Sequence, residues 1–154
     1  MNSWFLLWEI IILAILLVLA YYDGRYFTVP NFIVWPAISA VIIFNLFFSK
    51  NGWSWLLGLI VGGLFYLSQY WLTRGKDLGF GDVLLGILSG AILGYPVVIV
   101  AIFLTYLMAA VIAIGLLVFK KEKLTAELPL GVFINLATII CIFSGEKILL
   151  YLNL

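Results

Sequence analysis

Few residues of this chain can do chemistry, and two aspartates stand out among them. The 154 residues include seven acidic and eight basic side chains, one cysteine and no histidine. Serine–histidine and cysteine–histidine catalysis are therefore excluded, and we expect no metal and no other cofactor. Asp23 ends one long apolar run, and Asp82 begins another directly after Gly79-Phe80-Gly81.

Two carboxylates can hydrolyse a peptide bond when they lie close together. Both cannot ionise at once, so one keeps its proton and polarises the attacked carbonyl while the other acts as a base on water. Each aspartate also has a structural interpretation. Asp82 could cap the free amides at a helix start, and Asp23, at a helix end, could be a solvated boundary residue.

The composition determines which kind of structure must position these acids. Hydrophobic residues make up 66% of the chain and charged residues 10%, against about 45–50% and about 25% in soluble domains. Soluble enzymes, nucleic-acid-binding proteins and disordered chains are poor interpretations. The net charge of +1 implies no polyanionic partner. We predict an all-α bundle of about six transmembrane helices, forming a single membrane-embedded domain over residues 1–154.

The apolar runs give approximate bounds for the six spans. Asp23-Gly24-Arg25 closes the first, the fourth is short for a full span and needs shielding by its neighbours, and the sixth has a break at 144–147. The predicted spans are 4–22, 32–48, 53–72, a dozen residues between Asp82 and Gly94, 97–119, and a segment from Pro129 past Cys141.

Residues inside the spans predict how the helices pack. Small residues let helices approach closely in lipid, and buried amides form hydrogen bonds between helices. Glu9, within the outer half of the first span, either snorkels or bonds a neighbouring helix. The candidate close-packing residues are Gly58, Gly62 and Gly63, and the candidate hydrogen-bonding residues are Asn45, Gln69 and Asn135.

Basic residues predict the orientation, since they accumulate on the cytoplasmic side. Six alternating spans place six basic residues on one side and only Lys50 and Lys147 on the other. Asp23, Asp77 and Asp82 then lie at the cytoplasmic ends of spans, and both termini lie outside the cytoplasm. The six cytoplasmic residues are Arg25, Arg74, Lys76, Lys120, Lys121 and Lys123.

Three segments resemble the motifs of type IV prepilin peptidases. Asp23, followed by Arg25 and then by Pro30 and Asn31, is similar to their first motif. Gly79-Phe80-Gly81-Asp82 resembles their GxGD signature, and Leu128-Pro129-Leu130-Gly131 resembles the proline–glycine motif that opens their last span. The segments occur in the family's order and cover nearly the whole chain.

The resemblance implies an aspartic endopeptidase of the inner membrane. Asp23 and Asp82 would be the catalytic pair, with supporting motif residues around them. The substrates would be prepilin or pseudopilin-like proteins, cut at the cytoplasmic face after a glycine and before their hydrophobic helix. The supporting residues would be Arg25, Pro30, Asn31, Gly79, Gly81, Pro129 and Gly131.

The chain also departs from the family pattern. The first span leads straight into Asp23, as in short members without a methyltransferase insert, so we expect no methyltransferase activity. Leu84 stands where many relatives have a lysine, and Gly24 stands where a larger residue is common, which would loosen the turn. A catalytically silent membrane scaffold or small transport subunit is one alternative, although a transporter would place its acids near mid-membrane. A GxGD protease that cuts other membrane proteins is another.

Overall fold

The computed structural model describes residues 3–49, 52–76, 78–120 and 129–152. Within these ranges the chain forms six helices and no strand, which confirms the predicted all-α membrane architecture. Helices α1, α2, α3 and α5 are each long and apolar enough to cross a membrane. The helices are α1 (Ser3–Tyr26), α2 (Asn31–Phe48), α3 (Ser54–Thr73), α4 (Phe80–Leu93), α5 (Val97–Lys120) and α6 (Leu130–Leu152). Five residues on which the sequence-based predictions depend lie outside the described residues: Lys50, Asp77, Lys121, Lys123 and Leu128.

One predicted helix end and one predicted helix break are wrong. Helix α1 continues through Asp23-Gly24-Arg25 to Tyr26, and it ends where Phe27 adopts a left-handed conformation with φ 52°. The predicted break at 144–147 is absent from α6. Gly145 lets α6 approach α5 closely, because a Cβ there would collide with Val97. This glycine therefore serves helix packing rather than a turn.

The short helix α4 lies at the centre of the bundle. It has only 14 residues, and it contacts α2, α3, α5 and α6. Val83, Leu84, Leu85, Leu88 and Ala91 are all buried in the core. The prediction of a short fourth helix shielded by its neighbours is therefore confirmed.

Glycines bring α3 and α4 into backbone contact. A Cβ on Gly58 would collide with the Gly90 carbonyl, and a Cβ on Gly62 would collide with the Gly86 carbonyl. Each glycine pair therefore marks a point where the two backbones touch, as the small residues of α3 predicted. The contact holds α4, and thus Asp82 at its start, rigidly against α3.

Two of the three predicted interhelical hydrogen bonds are confirmed. The Asn45 amide on α2 donates to the Ala91 carbonyl on α4 at 2.8 Å. The Tyr106 hydroxyl on α5 donates to Gln69 on α3 at 2.7 Å. The third prediction is wrong, because Asn135 donates within its own helix to the Gly131 carbonyl at 2.8 Å. That carbonyl lies one turn back on α6, directly within reach of the Asn135 side chain.

Candidate active site

Asp23 is a buried carboxylate in the last turn of α1. Its side chain is 5% exposed, and its Oδ2 accepts a hydrogen bond from the Val132 N–H at 3.0 Å. The Gly131 N–H also interacts with this carboxylate. These amides belong to the first turn of α6, where backbone N–H groups lack helical partners and favour a negative charge. The interpretation of Asp23 as a solvated boundary residue is therefore wrong.

Asp82 lies in the first turn of α4. Its Oδ2 accepts a hydrogen bond from the Gly79 N–H at 3.1 Å, and its side chain is 9% exposed. The capping interpretation is confirmed. A cap occupies one carboxylate oxygen, so it is compatible with a chemical role for the other.

Gly131 lies close to Asp23 and to the helix that carries Asp82. A Cβ at Gly131 would lie 2.7 Å from Asp23 Oδ2 and 2.8 Å from Leu85 Cδ1. Leu85 follows Asp82 by about one turn of α4, so Gly131 lies between the first acid and the helix that carries the second. The two carboxylates are within electrostatic reach of each other. Only a residue without a side chain allows this approach of α6.

The loop between α1 and α2 packs on the second acid's segment through Gly81. A Cβ at Gly81 would lie 2.6 Å from Val29 Cβ. Pro30 follows Val29 and caps the start of α2, where its carbonyl accepts the Ile33 N–H at 3.0 Å. Gly79 is different, since its φ is −76° and a Cβ there would meet nothing closer than Asp82 Oδ2 at 3.7 Å. Gly81 is therefore the glycine that packing requires.

The remaining motif residues divide into two groups. Pro129 starts α6, and its carbonyl lies 3.3 Å from the Val132 N–H that also donates to Asp23. Arg25 and Asn31 are exposed, and neither makes a hydrogen bond or ion pair with Asp23 or Asp82 in the described part of the chain. The fold thus brings Gly79 to Asp82 and Gly131 to Asp23, and it leaves these two polar residues without a hydrogen bond or ion pair to either acid.

Backbone amides, rather than cations, surround the two acids. Over the described ranges neither Asp23 nor Asp82 has an ion-pair partner. The same residues contain no group of three or more aspartate, glutamate or cysteine side chains that could hold a metal ion. Helix N-termini therefore supply the positive potential at this site.

A tyrosine pair near Asp82 was not predicted from the sequence. Tyr66 on α3 is 2% exposed and stacks on Tyr106 of α5, with ring centroids 6.4 Å apart. Tyr66 packs on Gly86, about one turn after Asp82, and both tyrosines are within electrostatic reach of Asp82. The available signal was the spacing of Tyr66 and Gln69, which places both on one face of α3.

Two of the three departures from the family pattern, Gly24 and Leu84, can be located in the bundle. Gly24 lies inside α1 and not in a turn, so the expected loosening of a turn is wrong. A Cβ there would lie 3.2 Å from Val132 Cγ2, which shows how closely α1 and α6 approach. Leu84 is 1% exposed and packs in the apolar core. A lysine at this position would be buried unless the helix rotated.

Comparisons with known proteins agree with the motifs. The sequence profile of the type IV leader peptidase family matches residues 10–114, a range that contains both acids but not Gly131. The prepilin leader peptidase/N-methyltransferase of Aeromonas hydrophila is 26% identical over 152 residues, covering 95% of this chain and 52% of that protein. The protein of the same name from Pseudomonas putida is 29% identical over 141 residues, covering 86% and 48%. The chain spans about half the length of these curated relatives. No solved structure matches significantly.

Proposed function

Because the chain belongs to the type IV leader peptidase family, we propose that it is an aspartic endopeptidase of the inner membrane. It removes the leader from prepilin or pseudopilin-like proteins at the cytoplasmic face. The observation that carries this proposal is that Gly131 lies against the buried Asp23 and against Leu85, about one turn after the buried Asp82 on α4.

In the proposed reaction, the two acids share one proton and activate one water. The ionised carboxylate removes a proton from water, whose oxygen forms a bond to the scissile carbonyl carbon. The protonated carboxyl donates to the carbonyl oxygen and stabilises the negative charge that develops there. The C–N bond then breaks, and the proton taken from water passes to the leaving amine. The pair returns to its starting protonation without a metal or cofactor.

The hydrogen bonds of the acids suit these roles. Val132 N–H holds Oδ2 of Asp23, and Gly79 N–H holds Oδ2 of Asp82. In this proposal the Oδ1 atoms face the water and the substrate. Fixed donors at one oxygen keep each side chain in a single orientation, and such orientation is a large part of catalytic efficiency.

The position of the pair in the bundle suits a prepilin-like substrate. Asp23 lies at the end of α1, and Asp82 at the start of α4. Both therefore lie at one end of the bundle, where the lysine–arginine bias predicts the cytoplasm. A leader that precedes a hydrophobic helix places its cleavage point at such a boundary. The single domain over 1–154 forms the whole site in this proposal.

The decisive experiment is co-expression with candidate prepilins from the same genome, with leader loss measured by mass spectrometry. Asp23→Asn and Asp82→Asn should each reduce cleavage by at least about 10², since each removes a group that exchanges protons. Asparagine is nearly isosteric and still accepts backbone hydrogen bonds, so both variants should fold and insert. Asp77→Asn, outside the GxGD match, is the matched control and should cleave normally.

Three results would contradict the proposal. Near-normal turnover by Asp82→Asn would remove the second acid from the mechanism. Equal damage by Asp77→Asn would show that the segment's charge matters rather than the pair. If the unmodified chain cleaves no candidate prepilin, the silent scaffold becomes the better interpretation.

A further inference from the structure

A cavity lies near the opposite end of the bundle from the aspartates. Its volume is about 360 Å³, and it is lined by residues of α1, α2, α4, α5 and α6. Among them is Glu9 on α1, which lies roughly 21 Å along the helix axis from Asp23. This volume falls within the range of small-ligand sites. The cavity is therefore separate from the candidate active site.

The cavity carries two opposite charges that do not neutralise each other. Glu9 lines it from α1 and Lys147 from α6. Both side chains are exposed, and in the described ranges no ion pair involves either of them. A lone charge within an apolar transmembrane segment is costly. Glu9, inside the first span, therefore favours a cationic partner from outside the chain, and Lys147 can bind an anionic group of the same partner.

The same cavity contains a third polar group. Asn45 lines the cavity, and its amide nitrogen donates to the Ala91 carbonyl at 2.8 Å. Because the nitrogen is engaged, the amide oxygen remains as an acceptor. The cavity thus offers two acceptors from α1 and α2 and one cationic donor from α6.

The rest of the wall is apolar. The Trp8 ring stacks on Phe44 with centroids 4.2 Å apart and planes 8° from parallel. Ile12, Ile92 and Ile142 also belong to this surface. Glu9 lies about 9 Å from the start of α1 at Ser3, a depth at which headgroups and the first methylenes of a lipid are found. The cavity therefore combines a polar rim with a lipid-like wall.

We propose that this cavity binds a zwitterionic phospholipid with a primary ammonium group, that is, a phosphatidylethanolamine. The ammonium donates to the Glu9 carboxylate and the Asn45 oxygen, the phosphate accepts from Lys147, and an acyl chain covers the apolar wall. A phosphatidylglycerol brings no cation for Glu9. A phosphatidylcholine has a quaternary ammonium without N–H donors. The proposal is independent of the peptidase function.

Native mass spectrometry of the purified protein tests this selectivity directly. The protein is equilibrated with equal amounts of the three phospholipids, matched in acyl chains. Phosphatidylethanolamine should be retained at least about tenfold over each of the others, since neither of them can donate a charge-assisted hydrogen bond to Glu9. Retention of the three lipids in equal amounts, or preference for phosphatidylglycerol, would overturn the proposal without any variant.

Variants then assign the selectivity to the two charges. Glu9→Gln should abolish the preference over phosphatidylcholine and phosphatidylglycerol. Lys147→Gln should weaken retention of all three phospholipids, because each loses the partner of its phosphate. Lys76→Gln, at the aspartate end, is the matched control and should leave the preference unchanged. If Glu9→Gln kept the full preference, the cavity would not be its source. Thermal unfolding of each variant separates loss of the fold from loss of the lipid.

Discussion

The carboxylate of Asp23 and the backbone N–H of Val132, 109 residues apart in the chain, are joined by a hydrogen bond of 3.0 Å. The acid on α1 therefore occupies the N-terminus of α6. This contact orients Asp23 and also satisfies one of the amides that α6 leaves without a helical partner. The first acid and the third sequence motif consequently depend on each other for their positions.

Gly131→Ala should reduce cleavage by about 10² or more. The added methyl would lie 2.7 Å from Asp23 Oδ2 and 2.8 Å from Leu85 Cδ1, so the carboxylate must move, and shifts of about 1 Å can cost this much in rate. Gly115→Ala is the matched control, because a Cβ there meets nothing within 4 Å. The measurement is the rate of leader loss. Full activity of Gly131→Ala would show that this close approach is not needed.

Gly81→Ala and Gly79→Ala should differ, although both alter the GxGD segment. A Cβ at Gly81 would lie 2.6 Å from Val29 Cβ, whereas one at Gly79 makes only ordinary contacts. Overpacking of this kind typically costs about 1–3 kcal/mol, so Gly81→Ala should lower the thermal midpoint and the cleavage rate. Gly79→Ala should change both little. Equal effects of the two substitutions would contradict this difference in packing.

The double variant Asp23→Asn/Asp82→Asn should cleave little worse than either single variant. The effects of removing groups that act as one unit are not additive, because removing either member already prevents the pair from sharing a proton. We expect the double variant to lie within about tenfold of the slower single variant. The pH profile of cleavage by the unmodified chain should report apparent pKa values that belong to the pair rather than to either residue. Multiplicative losses would indicate two independent roles.

Cysteine labelling should find Lys76→Cys on the cytoplasmic side and Ser3→Cys on the outer side, as the lysine–arginine bias predicts. The background variant is Cys141→Ser, which removes a buried thiol. A membrane-impermeant maleimide added to intact cells should label position 3 and spare position 76. Labelling of position 76 from outside would reverse the topology and the placement of both acids.

The purified chain should leave the new amino terminus of its product unmethylated. Helix α1 runs without interruption from Ser3 to Tyr26 and carries Asp23 in its last turn, so no segment separates this span from the first acid. The test combines protein, prepilin and S-adenosylmethionine, followed by mass determination of the product. A mass gain of one methyl group would refute this prediction.

The amino-acid sequence was sufficient for the properties that depend on local composition and spacing. Apolar run lengths predicted the helices, including the short α4, and Gly79-Phe80-Gly81-Asp82 predicted a capped helix start. Glycines four residues apart predicted a close helix contact at Gly58 and Gly62. These features follow from hydropathy, backbone freedom and capping within a few residues, which a single segment contains.

Only the tertiary structure decided which partners these segments find. The sequence did not indicate that Asp23 caps α6 or that Gly131 approaches both Asp23 and Leu85. It predicted a break at Gly145 where the bundle has a helix contact, and it left open whether Glu9 and Lys147 line one cavity. Each of these depends on residues far apart in the chain, brought together by burial of apolar surface and close packing of helices. No local sequence pattern determines such a long-range contact, because its geometry exists only once the whole bundle has packed.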